Sequence, residues 1–182
     1  MSGLEILEVR NYLLQYSAAG VAFIINKDIS IHQGIITHEL IPGRALLISV
    51  PWHSNLLLTI FNVYAPNTPS ENEKFWQDLS DSLDSQLVPY PDILMGDFNM
   101  VEDAIDRLPS HSDNANACNA LSDLKRQLSV IDGWRSFNGN EKGYTYTQKP
   151  NMIRSHIDRI YVIEKVFETA VDWDISTPPH RN

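Results

Sequence analysis

Gly96-Asp97-Phe98-Asn99 places a carboxylate and an amide two residues apart, at the polar end of the apolar run Ile93-Leu94-Met95. In an extended chain, alternation puts Asp97 and Asn99 on one face and Phe98 on the other. Two hard oxygen donors at the mouth of a sheet can hold a divalent cation and orient water or phosphate. The same letters also make ordinary Asx-turns. In Asn62-Val63-Tyr64-Ala65-Pro66-Asn67, Asn62 and Tyr64 share a strand face and Asn67 follows in the loop. Tyr64 either offers its phenol to a ligand or caps the core with its hydroxyl tied to backbone. In Ser155-His156-Ile157-Asp158-Arg159-Ile160-Tyr161, alternation pairs His156 with Asp158 and Ile157 with Arg159. A carboxylate in a buried strand needs a partner, and Asp158 has Arg154 or Arg159 for an ion pair, or a functional imidazole or phenol. A fourth segment, Asp132–Phe137 and then 143–149, interleaves aromatic residues with Arg135, Lys142 and Lys149. Arg135, Tyr144, Lys149 and His156 are its candidates for contacting nucleic acid, with bases stacked on rings and cations on phosphates. The other reading is a strand whose aromatics serve the core.

These residues need strands and helices to hold them. Strands are expected over 19–27, 45–50 and 56–64, with a turn at 51–55, and over 92–99, 144–147 and 153–163. Ser70 and Glu73 have capping-box spacing and are expected to open a helix carrying Phe75, Trp76, Leu79, Leu83 and Leu87 inward, stopped by Pro89 and Pro91. A second helix is expected over 115–128, with Cys118, Leu121, Leu124 and Leu128 inward. Strands alternating with helices predict an α/β or α+β chain, with sheets covered by helices.

The chain has 182 residues, 43% hydrophobic and 20% charged, which suits one folded domain and excludes wholesale disorder. No apolar run approaches the ~18 residues of a spanning helix, so no membrane partner is expected. No secretory signal is visible at the N-terminus. The single cysteine, Cys118, has no disulfide partner in the chain and rules out a thiolate zinc cluster. Fourteen basic and 23 acidic residues give −9, a sign that argues against a protein held on nucleic acid by its net field. The imbalance is uneven: residues 1–100 carry four basic against eleven acidic (−7), and residues 101–182 carry ten against twelve (−2). An anionic ligand is therefore expected to meet the second half.

The four segments, in this order and approximate spacing, resemble those of the endonuclease/exonuclease/phosphatase superfamily. The chain is most similar to the apurinic-site-like endonuclease domains of fungal LINE-type (non-LTR) retrotransposons. Ala18–Phe23 and Val101–Pro109 fit that subgroup too. The resemblance implies a four-layer αββα sandwich with two mixed β-sheets, here incomplete at both termini. It divides the chain into a divergent segment 1–16, a partial domain 17–177 and a tail 178–182. It further implies Mg²⁺-assisted (alternatively Mn²⁺-assisted) attack of water on a DNA phosphodiester. By motif position, Asp97 positions or deprotonates the water and, with Asn99, lies at the metal. Asn99 stabilises the phosphate, Tyr64 and Asn67 contact it, and Asp158 orients a histidine.

Two pieces of the family pattern have no match. The resemblance implies an upstream Gln-Glu motif whose glutamate binds the metal, and Glu5 and Glu8 do not reproduce it. It also implies a closing Asp-His, and His180 has no aspartate before it. Weak or absent nuclease activity is the resulting expectation, with a non-catalytic, retrotransposon-derived remnant that at most binds nucleic acid as the alternative. A phosphoinositide or sphingomyelin phosphodiesterase of the same superfamily ranks lower. A metal-free glycosidase using Asp97 and Asp158 ranks last, since it leaves Tyr64, Asn67 and Asn99 without work.

Overall fold

Leu46, Leu47 and Ile48 are consecutive and all buried, which requires cover on both faces of the strand they form. That strand is β5 (Ala45–Pro51), near one side of a six-stranded sheet. The computed structural model describes residues 5–9 and 12–16 by backbone alone, and residues 20–26, 33–53 and 56–176 in full. The side chains of Glu5 and Glu8, the stretches 17–19, 27–32 and 54–55, and His180 lie outside the described part.

In chain order the strands are β1 (Glu5–Val9), β2 (Tyr12–Tyr16), β3 (Ala22–Asn26), β4 (Ile36–Ile41), β5, β6 (Leu57–Tyr64), β7 (Ile93–Asp97), β8 (Arg107–Leu108), β9 (Val130–Asp132), β10 (Tyr146–Gln148), β11 (Ile153–Ser155) and β12 (Asp158–Ile163). The helices are α1 (Pro69–Gln86), α2 (Ala115–Leu128), α3 (Gly133–Asn138) and α4 (Glu164–Thr169). The main sheet has the order β4-β5-β6-β7-β12-β9, and β6 and β7 are parallel while every other pair is antiparallel. Parallel neighbours need a crossover, and α1 supplies it. The remaining strands form two antiparallel sheets of three, β1-β2-β3 and β10-β11-β8. The fold is mixed α/β, as the alternation of strands and helices leads one to expect.

Helices α1 and α2 lie against each other and against one face of the main sheet. Phe61 and Val63 of β6, Leu94 of β7 and Tyr161 of β12 meet Trp76, Leu79, Leu83, Leu121 and Leu124 in one buried cluster. Phe98 stacks on Trp76 at 5.1 Å and meets Tyr161 edge-on at 5.0 Å, so the residue between Asp97 and Asn99 is anchored in this core.

Three elements differ from expectation. Helix α1 starts two residues early, with Thr68 as N-cap, Pro69 in its first turn and the Thr68 hydroxyl donating to Glu71. Proline fixes φ near the helical value, so the helix begins there and the S-x-x-E reading is two residues late. Leu87 does not continue the inward stripe: it is the C-cap in left-handed conformation (φ 51°), 91% exposed, and Val88 turns inward instead. The expected strand over 153–163 is broken at His156-Ile157 into β11 and β12, which belong to different sheets. The backbone groups at the break find other partners. His156 N–H donates to Asp106 O (2.9 Å), and the N–H groups of Ile157 and Asp158 both donate to Thr145 Oγ1 (3.2 and 3.1 Å). The neighbouring strand begins at Tyr146 rather than Tyr144.

Candidate active site

The parallel register of β6 and β7 sets Tyr64 beside Asp97, and the antiparallel register of β7 and β12 sets Asp97 beside Asp158. Tyr64, Asp97 and Asp158 therefore form a row across three adjacent strands. By alternation from buried Val63, Leu94 and Arg159, the row lies on the face away from α1 and α2. It falls at the carboxyl ends of the two parallel strands, where backbone ends leave a crevice for ligands.

Each residue is held by local chemistry. Gly96 has φ 140°, and a Cβ there would lie 1.9 Å from Val63 O. Only glycine lets β7 run this close to β6 just before Asp97. Asn99 adopts φ 51°, a conformation asparagine tolerates better than most residues. Its N–H donates to Asp97 Oδ1 (2.9 Å) and its Nδ2 donates to Ala65 O (2.8 Å). Ala65 N–H in turn donates to Asp97 O (2.9 Å), so the loop after β6 and the loop after β7 are stitched together. Tyr64 is half-exposed, with the Arg44 guanidinium 5.4 Å from its ring centroid and Arg44 Nη1 donating to Tyr64 O (3.0 Å). Asn67 and Asn99 line one small pocket of 40 Å³ together with Asn72 and Asn114.

Partial burial pushes the Asp97 carboxyl above the usual carboxylate range, and the facing Asp158 adds to this while the Asn99 N–H opposes it. Asp158 is exposed rather than buried, and among the described residues its carboxylate has no hydrogen bond or ion pair. The ion pair anticipated with Arg154 or Arg159 is not formed. A cavity of 420 Å³ opens in front of the two aspartates, lined also by Trp134, Thr145, His156 and residues 173–176.

The break between β11 and β12 changes the fate of His156 and Arg159. His156 lies just outside β12: it is 2% exposed, packed edge-on against Trp134 at 4.9 Å, with Nδ1 3.8 Å from Asp106 and without a hydrogen bond among the described residues. Burial and the nearby Arg159 charge lower its pKa to about 4, against the weaker pull of Asp106 and Asp132, so it is neutral at pH 7. Arg159 is buried and donates to Asp132 Oδ2 and Asp106 Oδ2, both at 2.6 Å. Arg135 is not a free surface cation. It donates to the carbonyls of Gly139 (2.6 Å) and Glu141 (2.7 Å) and to Asp106, with its guanidinium over Trp134. Tyr144 is half-buried in the loop before β10, and Lys149 is exposed beyond its end. Of the nucleic-acid candidates, Arg135 and His156 thus serve the interior.

Sequence reasoning assigned no role to Asp106, the 1%-exposed carboxylate that accepts from both arginines, or to Asp132, which also caps α3 through Arg135 N–H (2.8 Å). A sign was present: Asp106 and Arg159 are charges within otherwise apolar segments, and such charges come in pairs. Asn72 was missed as well. It sits four residues before Trp76 and seven before Leu79, on the apolar stripe of α1, where a polar residue needs internal partners.

The chain matches the Endonuclease/Exonuclease/phosphatase family over residues 7–168. It belongs to that family. Within this endonuclease/exonuclease/phosphatase family, the chain is 32% identical over 144 residues to the Transposon TX1 uncharacterized 149 kDa protein of Xenopus laevis. That alignment covers 78% of this chain and 11% of the relative, so the chain spans about a tenth of the relative's length. Among solved structures it resembles AP endonuclease LMAP from Leishmania major, with a TM-score of 0.64 at 14% identity over 82% of this chain and 59% of that one. It also resembles the endonuclease domain of TRAS1, a telomere-specific non-LTR retrotransposon, with a TM-score of 0.58 at 14% identity over 88% and 70%. At these identities the two structures establish the fold.

Proposed function

We propose that this domain is a DNA endonuclease of slow turnover, hydrolysing phosphodiesters at the row Tyr64–Asp97–Asp158 with a divalent cation, Mg²⁺ in the first instance. The observation that carries the proposal is the adjacency of two carboxylates, one of them without a partner among the described residues, at the ends of the parallel strands and beside Asn99. Two facing carboxylates repel, and partial burial, with a smaller contribution from Asp158, raises the Asp97 pKa. A fold aiming only at stability gains nothing from this arrangement. Support for DNA comes from the transposon relative and from the two endonuclease structures that share the fold.

Members of the family generally work with a divalent metal. Asp97 and Asn99 offer hard oxygens of the kind Mg²⁺ takes, with waters completing its shell. Among the described residues no group of three or more His, Cys, Asp or Glu side chains is placed to hold an ion. The donors suit a weakly held, largely hydrated cation. When bound, such a cation neutralises phosphate charge and polarises water. Asp97 orients the attacking water and accepts its proton, a task its raised pKa favours. The Asn99 amide, braced on Ala65 O, and the Asn67 amide steady the phosphate oxygens, and the Tyr64 hydroxyl donates to one of them. Asp158 holds a water on the far side of Asp97. Positioning and charge stabilisation are most of what phosphoryl transfer asks of a protein. Turnover is slow because, among the described residues, few side chains are placed to hold the cation.

A second reading is a remnant that binds DNA without cutting it, favoured by the donor set: among the described residues no three His, Cys, Asp or Glu side chains are placed to hold an ion. Incubating supercoiled plasmid with the purified chain, with and without Mg²⁺, separates the two. Nicking that appears with Mg²⁺ and vanishes with EDTA supports the nuclease. A gel shift without nicking supports the remnant.

A further inference from the structure

Asn72 is the fourth residue of α1, 2% exposed and bonded to Trp76 and Phe98, both fully buried. Its single amide group does three things. Nδ2 donates to Pro66 O and to Phe98 O, both at 2.9 Å, and Oδ1 accepts from Trp76 Nε1 at 2.6 Å. Pro66 immediately precedes Asn67, and Phe98 immediately precedes Asn99. One side chain therefore spans the loop after β6 and the loop after β7 at the residues next to both candidate phosphate-binding asparagines. A leucine at this point of the apolar stripe would fill the space, but it would leave two carbonyls and the Trp76 N–H buried without partners.

We infer that Asn72 is a positioning residue for phosphodiester hydrolysis, a clamp that fixes Asn67 and Asn99 relative to each other. The inference rests on the proposed nuclease reading, and it gives a polar residue on the core face of α1 a task that packing does not require. Asn72 touches neither DNA nor cation. Its effect passes through the two backbone carbonyls.

The test uses N72D, which keeps the shape and the acceptor for Trp76 but removes both donors, and N72S, which keeps one hydroxyl donor too short to span both loops. L79A, a buried cavity in the same helix, controls for stability. Two readouts are taken on the full chain: Mg²⁺-dependent nicking under single-turnover conditions alongside DNA affinity, and the ¹⁵N–¹H NMR signals of Asn67 and Asn99. Displacing a reacting group by about 1 Å costs about 100-fold in rate. The expected result is therefore a fall of about 100-fold in the nicking rate of N72D, with DNA affinity within about twofold of the parent, and shifted Asn67 and Asn99 signals. L79A should keep the rate once corrected for its folded fraction, and N72S should behave as N72D if the latter does not fold. Rates in N72D or N72S that match the parent, or that fall no further than in L79A, overturn the clamp, as do unmoved Asn67 and Asn99 signals. A parent chain that does not nick overturns the nuclease reading instead. The NMR arm then still decides whether Asn72 couples the two loops, so the two failures are distinct.

Discussion

Replacing Asp106 by asparagine removes one negative charge from a site where two arginines converge. Asp106 is 1% exposed and accepts from Arg159 Nη2 at 2.6 Å and from Arg135 Nη2. Arg159 keeps a second partner, Asp132, also at 2.6 Å, while Arg135 keeps only backbone carbonyls. Breaking a buried ion pair by removing one partner costs about 3–5 kcal/mol, because a desolvated charge is left uncompensated. The asparagine oxygen retains one acceptor and Asp132 retains half of the Arg159 pairing, so the lower part of that range applies, about 3 kcal/mol. At a urea m-value of about 2 kcal/mol/M, this moves the unfolding midpoint down by about 1.5 M. Urea titration followed by tryptophan fluorescence reads it, since Trp134 lies against both Arg135 and His156. Arg135→Met in the D106N background removes the charge left with carbonyls alone and should recover part of the loss, which a double-mutant cycle measures as coupling. A D106N chain within about 0.5 kcal/mol of the parent, or a cycle without coupling, would refute the reasoning. It would mean that the pair is solvated and the knot holds nothing.

Gly96→Ala places a Cβ into Val63 O at a φ that alanine rarely adopts, and should cost more than about 3 kcal/mol. A thermal melt within a few degrees of the parent would contradict that. His156 is neutral in the fold with a pKa of about 4, against 6.5 for an ordinary imidazole. The unfolded chain therefore binds a proton that the folded chain does not between these values. Stability is fully present above pH 6.5 and is lost as pH falls toward 4, by up to about 3 kcal/mol, less whatever solvent screening removes. The slope of urea stability against pH over that window should flatten in His156→Gln, and an unchanged slope would assign the acid sensitivity elsewhere.

Much of the site was legible because its order is local. The G-D-F-N run reads as a strand end with Phe98 inward and Asp97 and Asn99 on one side; the strand stops at Asp97, and Asn99 returns to it through its N–H rather than by alternation. Helix α2 keeps the bounds read from its apolar spacing, helped by Asn114, which caps it through the N–H groups of Asn116 and Ala117. What the sequence hid is non-local. The break between β11 and β12 exists because Asp106 O and Thr145 Oγ1, distant in the chain, take the backbone donors at 156–158. Alternation through that stretch sets Arg159 opposite Asp158, as the register has it, but says nothing of His156 packing on Trp134 or of Arg159 reaching Asp106 and Asp132. Arg135 reads as a surface cation from its neighbours, and only Asp106 and the turn carbonyls at Gly139 and Glu141 make it internal. The adjacency of Asp97 and Asp158 depends on the pairing of two strands some sixty residues apart (Asp97↔Asp158), a register no spacing rule supplies.

The central claim is that Asp97, in its row with Tyr64 and Asp158, is where a phosphodiester is cut. Single-turnover nicking of a supercoiled plasmid in Mg²⁺, comparing the parent with Asp97→Ala, tests it most directly. The account predicts slow nicking by the parent, abolished by EDTA, and a loss of at least about 1000-fold in Asp97→Ala, since removing one member of a catalytic unit costs orders of magnitude. Equal nicking by the folded Asp97→Ala chain would contradict it and place the chemistry elsewhere.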